Sequence, residues 1–376
     1  MFEVIRTLKK FSVRNFKNFP ETITFDLSTP SSYEFNPEVI SNGCVTKAMI
    51  FGINGSGKSN FGLALFDIIL HLTDKQKLAD HYSNYLNLNS RMPYAEFMYT
   101  FTFNGKELTY SYRKSKPQSL LFEDLQIDGN SVIQYDFLQN KGYSKLKGSE
   151  TLNIVSDSSA ISRVKFVYNN AILEDSDEDN AAFKQFMCFV ERMLLFFSLE
   201  TRRYQGFTVG GHKIPEMIIK SGHLQDFEEF LRQNGLDYTL YEKKVGEEHN
   251  IFCKFDRQDA DLWSIGSTGT SSLSLFFFWY LQMKEMSLVF IDEFDAFYHY
   301  SLAAALVKLL KNLPETQVIL TSHNITLMSN DLLRPDCYFL IDGKKIASLS
   351  NSTDKELRKA HNLQKMYRAG AFQLDK

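Results

Sequence analysis

One eight-residue segment constrains the fold of this chain more than any other. It is Gly52-Ile53-Asn54-Gly55-Ser56-Gly57-Lys58-Ser59, and it fits the pattern G-x-x-x-x-G-K-[ST] at every fixed position. An apolar run precedes it and a helical pattern from Ser59 to about His71 follows. The glycines let backbone N–H groups surround a phosphate, and the helix N-terminus adds partial positive charge. We expect Lys58 to reach the β- and γ-phosphates and the Ser59 hydroxyl to ligate Mg²⁺.

A second apolar run, Leu288 to Ile291, ends in two adjacent acids, Asp292 and Glu293. Successive side chains on a strand point to opposite sides, so the two carboxylates can take different roles. Asp292 is predicted to hold Mg²⁺ through water, and Glu293 to polarise an attacking water. Following a phosphate-binding loop, this pair predicts a site that hydrolyses a nucleotide.

A third candidate strand, 317–320, leads into Thr321-Ser322-His323-Asn324. With a predicted helix over 300–312, it forms a βαβ unit beside the carboxylate strand, so both strand tips emerge at one edge of a sheet. His323 is then placed where it can touch a γ-phosphate. A structural histidine at a strand end is the alternative interpretation.

Small hydroxyl-bearing residues fill the segment Ser264 to Ser272, just before an aromatic helix predicted from Leu273 to Met283. Hydroxyls can donate to phosphate and the helix supplies a dipole. The alternative is a helix N-cap with a flexible loop.

Composition narrows the function classes. The 376 residues carry a formal charge of −3, so binding to nucleic acid through bulk positive charge is disfavoured, although a local basic groove remains open. Four cysteines lie far apart without zinc-ligand spacing, and the longest apolar run is about half a membrane span. The 33 Phe and 18 Tyr residues indicate thick aromatic packing or a buried subunit interface. We expect a cytoplasmic protein that does not enter membranes.

The remaining patterns organise the chain. Alternating residues from Glu96, turned by Asn104-Gly105, predict an antiparallel sheet over residues 96 to about 168. Helical patterns cover roughly 180–197 and 215–234, and a strand pair lies near 238–256. We therefore predict an α/β fold divided into an N-terminal ATPase part (1–72), a β-rich lobe (73–172), a helical insertion (173–250), a C-terminal ATPase lobe (251–350) and a helical tail (351–376).

The order of these motifs resembles that of an ABC-type ATPase. The start, Phe11 to Phe19 (FSVRNFKNF), is similar to the φ-x-φ-x-N-F-[RK]-x-F start of the SMC/RecF/OLD group, and Asn54 favours that branch. Ser267-Thr268-Gly269-Thr270 resembles the signature L-S-S-G-[TEQ], with Gly266 at the usual Leu position. The tail, Leu363 to Phe372, resembles stand-alone ATPases of prokaryotic defence loci, of which the PARIS and Septu anti-phage ATPase subunits are examples.

This resemblance implies an ABC-type P-loop NTPase head with an antiparallel β-lobe and a helical insertion, using ATP and Mg²⁺. It also implies a head-to-tail homodimer or higher homo-oligomer in which ATP lies between two subunits. Lys58, Ser59, Asp292, Glu293 and His323 would act in one subunit. Ser267 and Gly269 would contact the γ-phosphate bound by the partner subunit, and Asp295 would lie in the loop that crosses the interface.

Several family features are missing from the sequence. The Q-loop glutamine has no clear position, since Gln76 comes too early and the region from Arg91 to Glu96 has none. Without heptads the long interval between Lys58 and Asp292 cannot be an SMC coiled coil. About 50 residues follow His323, too few for the nuclease domain of OLD proteins. We expect the insertion to form a platform for a partner.

Three functions stay open. The first is an ATPase sensor or switch subunit of an anti-phage defence or toxin-type system, which controls a separately encoded nuclease or toxin. The second is a RecF-like DNA-binding ATPase in repair. The third is a scaffold that dimerises on ATP and barely hydrolyses it. Residues that could form a basic groove for the second are Lys141, Lys145, Lys147, Arg202 and Arg203.

Overall fold

The computed structural model describes residues 6–75, 79–155, 158, 160–198, 203–206 and 214–374. Its strands are β1 (Arg6–Arg14), β2 (Ile23–Asp26), β3 (Ile40–Ser41), β4 (Cys44–Val45), β5 (Lys47–Phe51), β6 (Ala95–Phe103), β7 (Lys106–Lys116), β8 (Ser119–Ile127), β9 (Asn130–Asp136), β10 (Lys141–Ser144), β11 (Met193–Ser198), β12 (Arg203–Gly206), β13 (Leu240–Val245), β14 (Glu248–Cys253), β15 (Ala260–Asp261), β16 (Leu288–Ile291), β17 (Gln317–Ser322), β18 (Tyr338–Ile341) and β19 (Ile346–Ser348). Its α-helices are α1 (Lys58–Leu65), α2 (Ile69–Leu72), α3 (Arg163–Asn170), α4 (Glu178–Glu191), α5 (Ile214–Lys220), α6 (Leu224–Gln233), α7 (Leu262–Ile265), α8 (Thr268–Met283), α9 (Tyr300–Lys311) and α10 (Leu363–Arg368).

A seven-stranded sheet with the order β12-β11-β16-β17-β5-β18-β19 carries the predicted site. Strands β11, β16, β17, β5 and β18 pair in parallel, and the two edge strands pair antiparallel to them. All four residues of β16 are buried, as expected for a strand covered on both faces. The parallel register places the carboxyl ends of β5, β16 and β17 at one edge of this sheet, as predicted for the last two.

A second seven-stranded sheet is antiparallel, with the order β10-β9-β8-β7-β6-β1-β2. Asn104 and Gly105 both have positive φ, 49° and 87°, which is the conformation of a two-residue hairpin turn, so the predicted hairpin is confirmed. The alternating aromatics of β6 are buried on one face of the sheet as expected: Phe97, Tyr99, Phe101 and Phe103. Strands β1 and β2, although first in the chain, join this sheet rather than the parallel one.

Helix α1 connects the two sheets. On one side Phe61 packs against Phe11 and Phe25 of the antiparallel sheet, with ring centroids 5.7 and 5.3 Å apart. On the other side Gly62 faces Phe290 of β16, and a Cβ at Gly62 would lie 2.7 Å from that ring. A glycine is therefore needed for the close approach of helix and sheet. Abundant aromatic residues thus form the packing around the helix that follows the phosphate-binding loop.

The structure corrects several predictions. The helix expected from Ser59 to about His71 is interrupted, because α1 ends at Leu65 and α2 begins at Ile69. The helix expected over 180–197 ends at Glu191, and residues 193–198 form β11, a parallel neighbour of β16. The antiparallel sheet expected to reach about residue 168 ends at Ser144, and α3 follows it. The tail contains only one short helix, α10, among turns, so it is less helical than predicted. In each of these segments the periodicity of apolar and polar residues is too weak to distinguish a strand from a helix or a turn.

The third sheet, β13-β14-β15, includes the strand pair predicted near 238–256. Next to it, α5 and α6 pack against the aromatic helix α8, with Phe227 and Phe230 about 5 Å from the ring of Phe277. The four cysteines are free thiols. In the described part of the chain, no helix has the length and apolar character required to cross a membrane.

Candidate functional site

The phosphate-binding loop joins β5 to α1 at the edge where the parallel strands end. Its conformation depends on glycine: Gly55 and Gly57 have φ of 78° and 99°. A Cβ on Gly57 would lie 2.4 Å from Nδ2 of Asn18, and a Cβ on Gly52 would lie 2.6 Å from the carbonyl oxygen of Ile341. The loop is therefore held against its neighbours in a shape that side chains at these positions would prevent.

The groups in this loop fit a phosphate. The hydroxyl of Ser56 is buried and makes no hydrogen bond within the described residues. The first N–H groups of α1 have no partner inside the helix, and they point toward the loop. The ammonium of Lys58 donates to the carbonyls of Gly52 and Ile53, at 2.8 and 3.3 Å. Asn54, Gly55 and Ser59 are exposed to solvent. These donors form a cradle for an anion.

Asp292 lies directly after β16 and is buried. The hydroxyl of Thr321 donates to its Oδ1 at 2.6 Å, and the Ser59 side chain also hydrogen-bonds to it. Burial raises the pKa of Asp292, while the hydrogen bonds from Ser59 and Thr321 oppose this shift. The structure thus brings together Ser59 and Asp292, the two residues predicted to hold Mg²⁺, and a carboxylate with a hydroxyl suits that ion.

Glu293, His323 and Lys58 form a chain of contacts. His323 Nδ1 lies 3.2 Å from Lys58 Nζ, and His323 Nε2 lies 3.4 Å from Glu293 Oε1. A lysine ammonium can only donate, so Nδ1 must accept and Nε2 carries the proton that faces Glu293. Burial lowers the pKa of Lys58, and the charges of Asp292 and Glu293 partly offset this shift. Lys58 and His323, predicted to reach the γ-phosphate, therefore meet Glu293, predicted to polarise the attacking water, at one point.

Glu293 has an unusual backbone. Its φ is 47°, in the left-handed region that a non-glycine residue adopts only at a cost. The side chain is about half exposed, at 47%, so its carboxylate can reach water. Two residues later, burial raises the pKa of Asp295, and the Ser322 and Asn324 side chains hydrogen-bond to this carboxyl. The acids after β16 are thus held by residues at the end of β17 and directly after it.

The signature-like loop lies at the start of α8. Ser267 is the N-cap of this helix, and its hydroxyl accepts a hydrogen bond from Thr270 N at 3.2 Å. A Cβ on Gly269 would lie 3.4 Å from the carbonyl oxygen of Phe297. Among the residues that the structure describes, no hydrogen bond or ion pair joins Ser267 or Gly269 to residues 52–59. The N-cap of the alternative interpretation therefore occurs at Ser267. The expected loop is shorter than predicted, because α8 begins at Thr268 and not at Leu273. Contact with a second subunit stays a prediction.

The N-terminal motif supports the phosphate-binding loop. The amide of Asn15 donates to the carbonyls of Met92 and Tyr94, at 2.8 and 2.7 Å. Asn18 accepts from the amide of Asn60 in α1 at 2.8 Å and lies against Gly57. Sequence reasoning used this motif only as a family resemblance, and the structure gives it a physical role.

Thr321 is the site residue that sequence reasoning missed. It is fully buried at the end of β17 and contacts both acids after β16. The available signal was its position two residues before His323. The partners of its hydroxyl, Asp292 and Glu293, follow a different strand, however. Only the pairing of β16 with β17 shows that they lie next to Thr321.

Comparison with known proteins identifies the fold of the chain. Residues 215–329, less than half of the chain, match the family described as "AAA domain, putative AbiEii toxin, Type IV TA system". No curated protein sequence gives a significant match. The structure is similar to an SMC head crystallised with the C-winged helix domain of ScpA (TM-score 0.52, 16% identity, covering 91% of this chain and 97% of that one).

Two further solved structures are similar at lower scores. The SMC head domain from Thermotoga maritima gives a TM-score of 0.41 at 16% identity, over 91% of this chain and 98% of that one. The recombination mediator protein RecF with ATP gives 0.41 at 14% identity, over 92% and 100%. The chain thus has the SMC-head fold, and the predicted α/β fold of an ABC-type P-loop NTPase head is confirmed.

Proposed function

We propose that this protein binds and hydrolyses ATP with Mg²⁺. The observation that carries the proposal is the meeting of Lys58, His323 and Glu293 at one sheet edge, where contacts of 3.2 and 3.4 Å join them. Asp292 lies at the same edge and hydrogen-bonds to Ser59. Lys58 and the loop amides bind phosphate, Ser59 and Asp292 hold Mg²⁺, and Glu293 accepts a proton from the attacking water. His323 orients Glu293 through its Nε2 proton. Mg-ATP, when bound, supplies the phosphoanhydride bond and neutralises charge on the phosphates.

We further propose that ATP joins two copies of the chain head to tail. Ser267 and Gly269 would then face the γ-phosphate held by the other copy. Exposed apolar side chains next to the phosphate-binding loop and the signature-like loop support this: Ile53 is 75% exposed and Ile265 is 41% exposed. Burying such residues between subunits would stabilise the dimer.

In the cell, the proposed role is that of a cytoplasmic sensor or switch subunit. ATP-dependent dimerisation would control a separately encoded effector, a nuclease or toxin, in an anti-phage defence or toxin-type system. The resemblance of residues 363–372 to ATPases of defence loci supports this role. The match of residues 215–329 to a family described with a toxin system also supports it.

The test uses three forms of the full chain: wild type, Glu293→Gln and Lys58→Ala. Wild type should release phosphate from ATP, Glu293→Gln should bind ATP with turnover about 10²–10⁴-fold lower, and Lys58→Ala should not bind it. The solution mass of Glu293→Gln, expressed with its genomic neighbours, should rise with Mg-ATP and include a second polypeptide. Normal hydrolysis by Glu293→Gln would refute the assigned base, and an ATP-dependent dimer without a second polypeptide would refute the effector role.

DNA binding in repair is a second candidate function. Of the predicted basic residues, Lys147 pairs with Asp177 at 2.7 Å and Arg202 lies outside the described residues. What favours this candidate is a different set of exposed cations near the C-terminal end: Lys344, Lys355, Lys359, Lys365 and Arg368. Phosphate contacts make DNA affinity fall steeply with salt. Steep salt dependence, together with weaker binding by Lys359→Glu, would favour this function over the switch.

A further inference from the structure

Thr321 connects the two acids that follow β16. It is the fifth residue of β17, and its side chain is completely buried. Its hydroxyl donates to Oδ1 of Asp292 at 2.6 Å. The hydroxyl oxygen of Thr321 in turn accepts a hydrogen bond from the backbone N–H of Glu293 at 2.8 Å. One hydroxyl group therefore touches the side chain of the predicted metal ligand and the backbone of the predicted base.

The direction of these bonds is determined by chemistry. A threonine hydroxyl has one proton and two lone pairs, and a backbone N–H can only donate. A lone pair of Thr321 therefore accepts from the N–H of Glu293, which leaves the hydroxyl proton for Asp292. Valine has the same shape but can make neither bond, whereas serine can make both.

Glu293 needs such a restraint because of its backbone. A left-handed φ of 47° is unfavourable for a non-glycine residue, so the conformation persists only where neighbours hold it. The next amide in the chain also bonds to Thr321: the N–H of Phe294 donates to the backbone carbonyl oxygen of Thr321 at 3.2 Å. Two successive amides of the turn are thus fixed by one residue. This turn directs the Glu293 carboxylate toward His323.

We infer that Thr321 is a positioning residue for hydrolysis: its hydroxyl holds the backbone of Glu293 in the left-handed turn and so aims the Glu293 carboxylate. This inference rests on the proposed ATPase function. Thr321 acts through Glu293 and does not itself touch the nucleotide. Loss of its hydroxyl should therefore lower the rate of hydrolysis while leaving nucleotide binding by the loop at 52–59 intact.

The first measurement compares Thr321→Val and Thr321→Ser with wild type. Misplacing a catalytic group by about 1 Å costs on the order of 100-fold, so kcat of Thr321→Val should fall by about 10- to 100-fold. Its Kd for ATP should stay unchanged, and Thr321→Ser should keep near-normal kcat. Thr316→Val is the matched control. Thr316 is also buried, directly before the other end of β17 and roughly 16 Å from Thr321. Its hydroxyl lies within hydrogen-bonding distance of the carbonyls of Met283 and Met286, at 2.6 and 3.0 Å.

The second measurement tests whether the effect passes through Glu293. In the Glu293→Gln background, adding Thr321→Val should not lower the residual rate further, because the base is already absent. If Thr321→Val does not fold, Thr321→Ala removes the same hydroxyl and replaces it in both measurements.

The outcomes separate this inference from the proposed function. A wild-type protein that binds ATP without hydrolysing it refutes the ATPase. An active wild type with an equally active Thr321→Val refutes the positioning role alone. The positioning role is also refuted if Thr321→Val and Glu293→Gln lower the rate by independent factors, or if Thr316→Val lowers kcat as much.

Discussion

At the scale of single residues, Lys47 at the start of β5 links stability to pH. Its ammonium is buried and donates to the carbonyls of Leu313 and Thr316, at 2.8 and 2.7 Å. Burial lowers the pKa of Lys47 from 10.5 to about 8. As pH rises above about 8 the folded protein loses this proton, whereas the unfolded chain keeps it until about 10.5. The unfolded state then binds more protons, so this group makes stability rise with pH across that window.

We predict that the free energy of unfolding contributed by Lys47 increases by about 3 kcal/mol between these two pH values. Urea unfolding of wild type and Lys47→Met at several pH values measures it. Taking the difference between the two proteins removes the titration of other groups. A difference that stays constant with pH would show that Lys47 keeps its proton throughout.

Single residues also show what a sequence can and cannot predict about a site. The spacing of glycines, Lys58 and Ser59 is enough to predict the phosphate-binding loop, because these residues act within one turn of chain. Thr321 is different, since its role depends on a hydroxyl reaching across from β17 to β16. The left-handed backbone of Glu293 has no sequence signal, as glutamate rarely adopts it.

At the scale of elements, a buried ion pair ties the end of α1 to the antiparallel sheet. Lys114 of β7 and Asp67 are both fully buried, with Nζ and Oδ1 2.6 Å apart. The hydroxyls of Tyr85 and Tyr112 donate to the same carboxylate, each at 2.9 Å. Because α1 begins at the phosphate-binding loop, this cluster fixes the helix that supports the site.

Removing one partner of this pair should be costly. We predict that Lys114→Met lowers the free energy of unfolding by about 3 kcal/mol, because a buried charge loses its counter-ion. The double change Asp67→Asn with Lys114→Met should recover part of the loss. Lys116→Met is the matched control on the same strand, because Lys116 is exposed to solvent and its replacement should matter little. Urea unfolding measures all four proteins, and a milder loss in Lys114→Met than in the double variant would contradict the argument.

Elements also show where pattern reasoning fails. The strands β16 and β17 were predictable because short apolar runs end in polar residues with site chemistry. Residues 193–198 are equally apolar but follow α4 almost directly, so they read as its continuation. Pairing with β16 makes these residues a strand. The carbonyl oxygen of Phe196 in this strand accepts a hydrogen bond from the N–H of Asp292 at 3.0 Å. The strand conformation of residues 193–198 therefore depends on tertiary pairing, and the local sequence preference does not predict it.

At the scale of the whole molecule, the site lacks one of its predicted parts. Residues 52–59, Asp292, Glu293 and His323 meet within one chain, but no described hydrogen bond or ion pair brings Ser267 to them. In the proposed head-to-tail dimer, each nucleotide lies between the phosphate-binding loop of one copy and Ser267 of the other. Neither loop is then sufficient for hydrolysis. A subunit with a defect in one loop can be complemented by a subunit in which that loop is intact.

This arrangement predicts complementation between two inactive proteins. Lys58→Ala should not bind ATP, and Ser267→Arg should bind ATP but fail to hydrolyse it, because the added side chain blocks the signature-like loop. A mixed dimer still contains one intact site, made of Lys58 from the Ser267→Arg copy and Ser267 from the Lys58→Ala copy. Phosphate release from the mixture should therefore exceed the sum of the two separate rates at equal total protein.

The exposed Ser32 provides the matched control, since Ser32→Arg adds the same bulk and charge outside residues 52–59 and 264–272 and should leave turnover unchanged. If the mixture releases no more phosphate than the separate proteins, the two defects lie in the same subunit's site. Hydrolysis would then be a property of the single chain. Dimerisation would in that case have to be explained by something other than shared nucleotide.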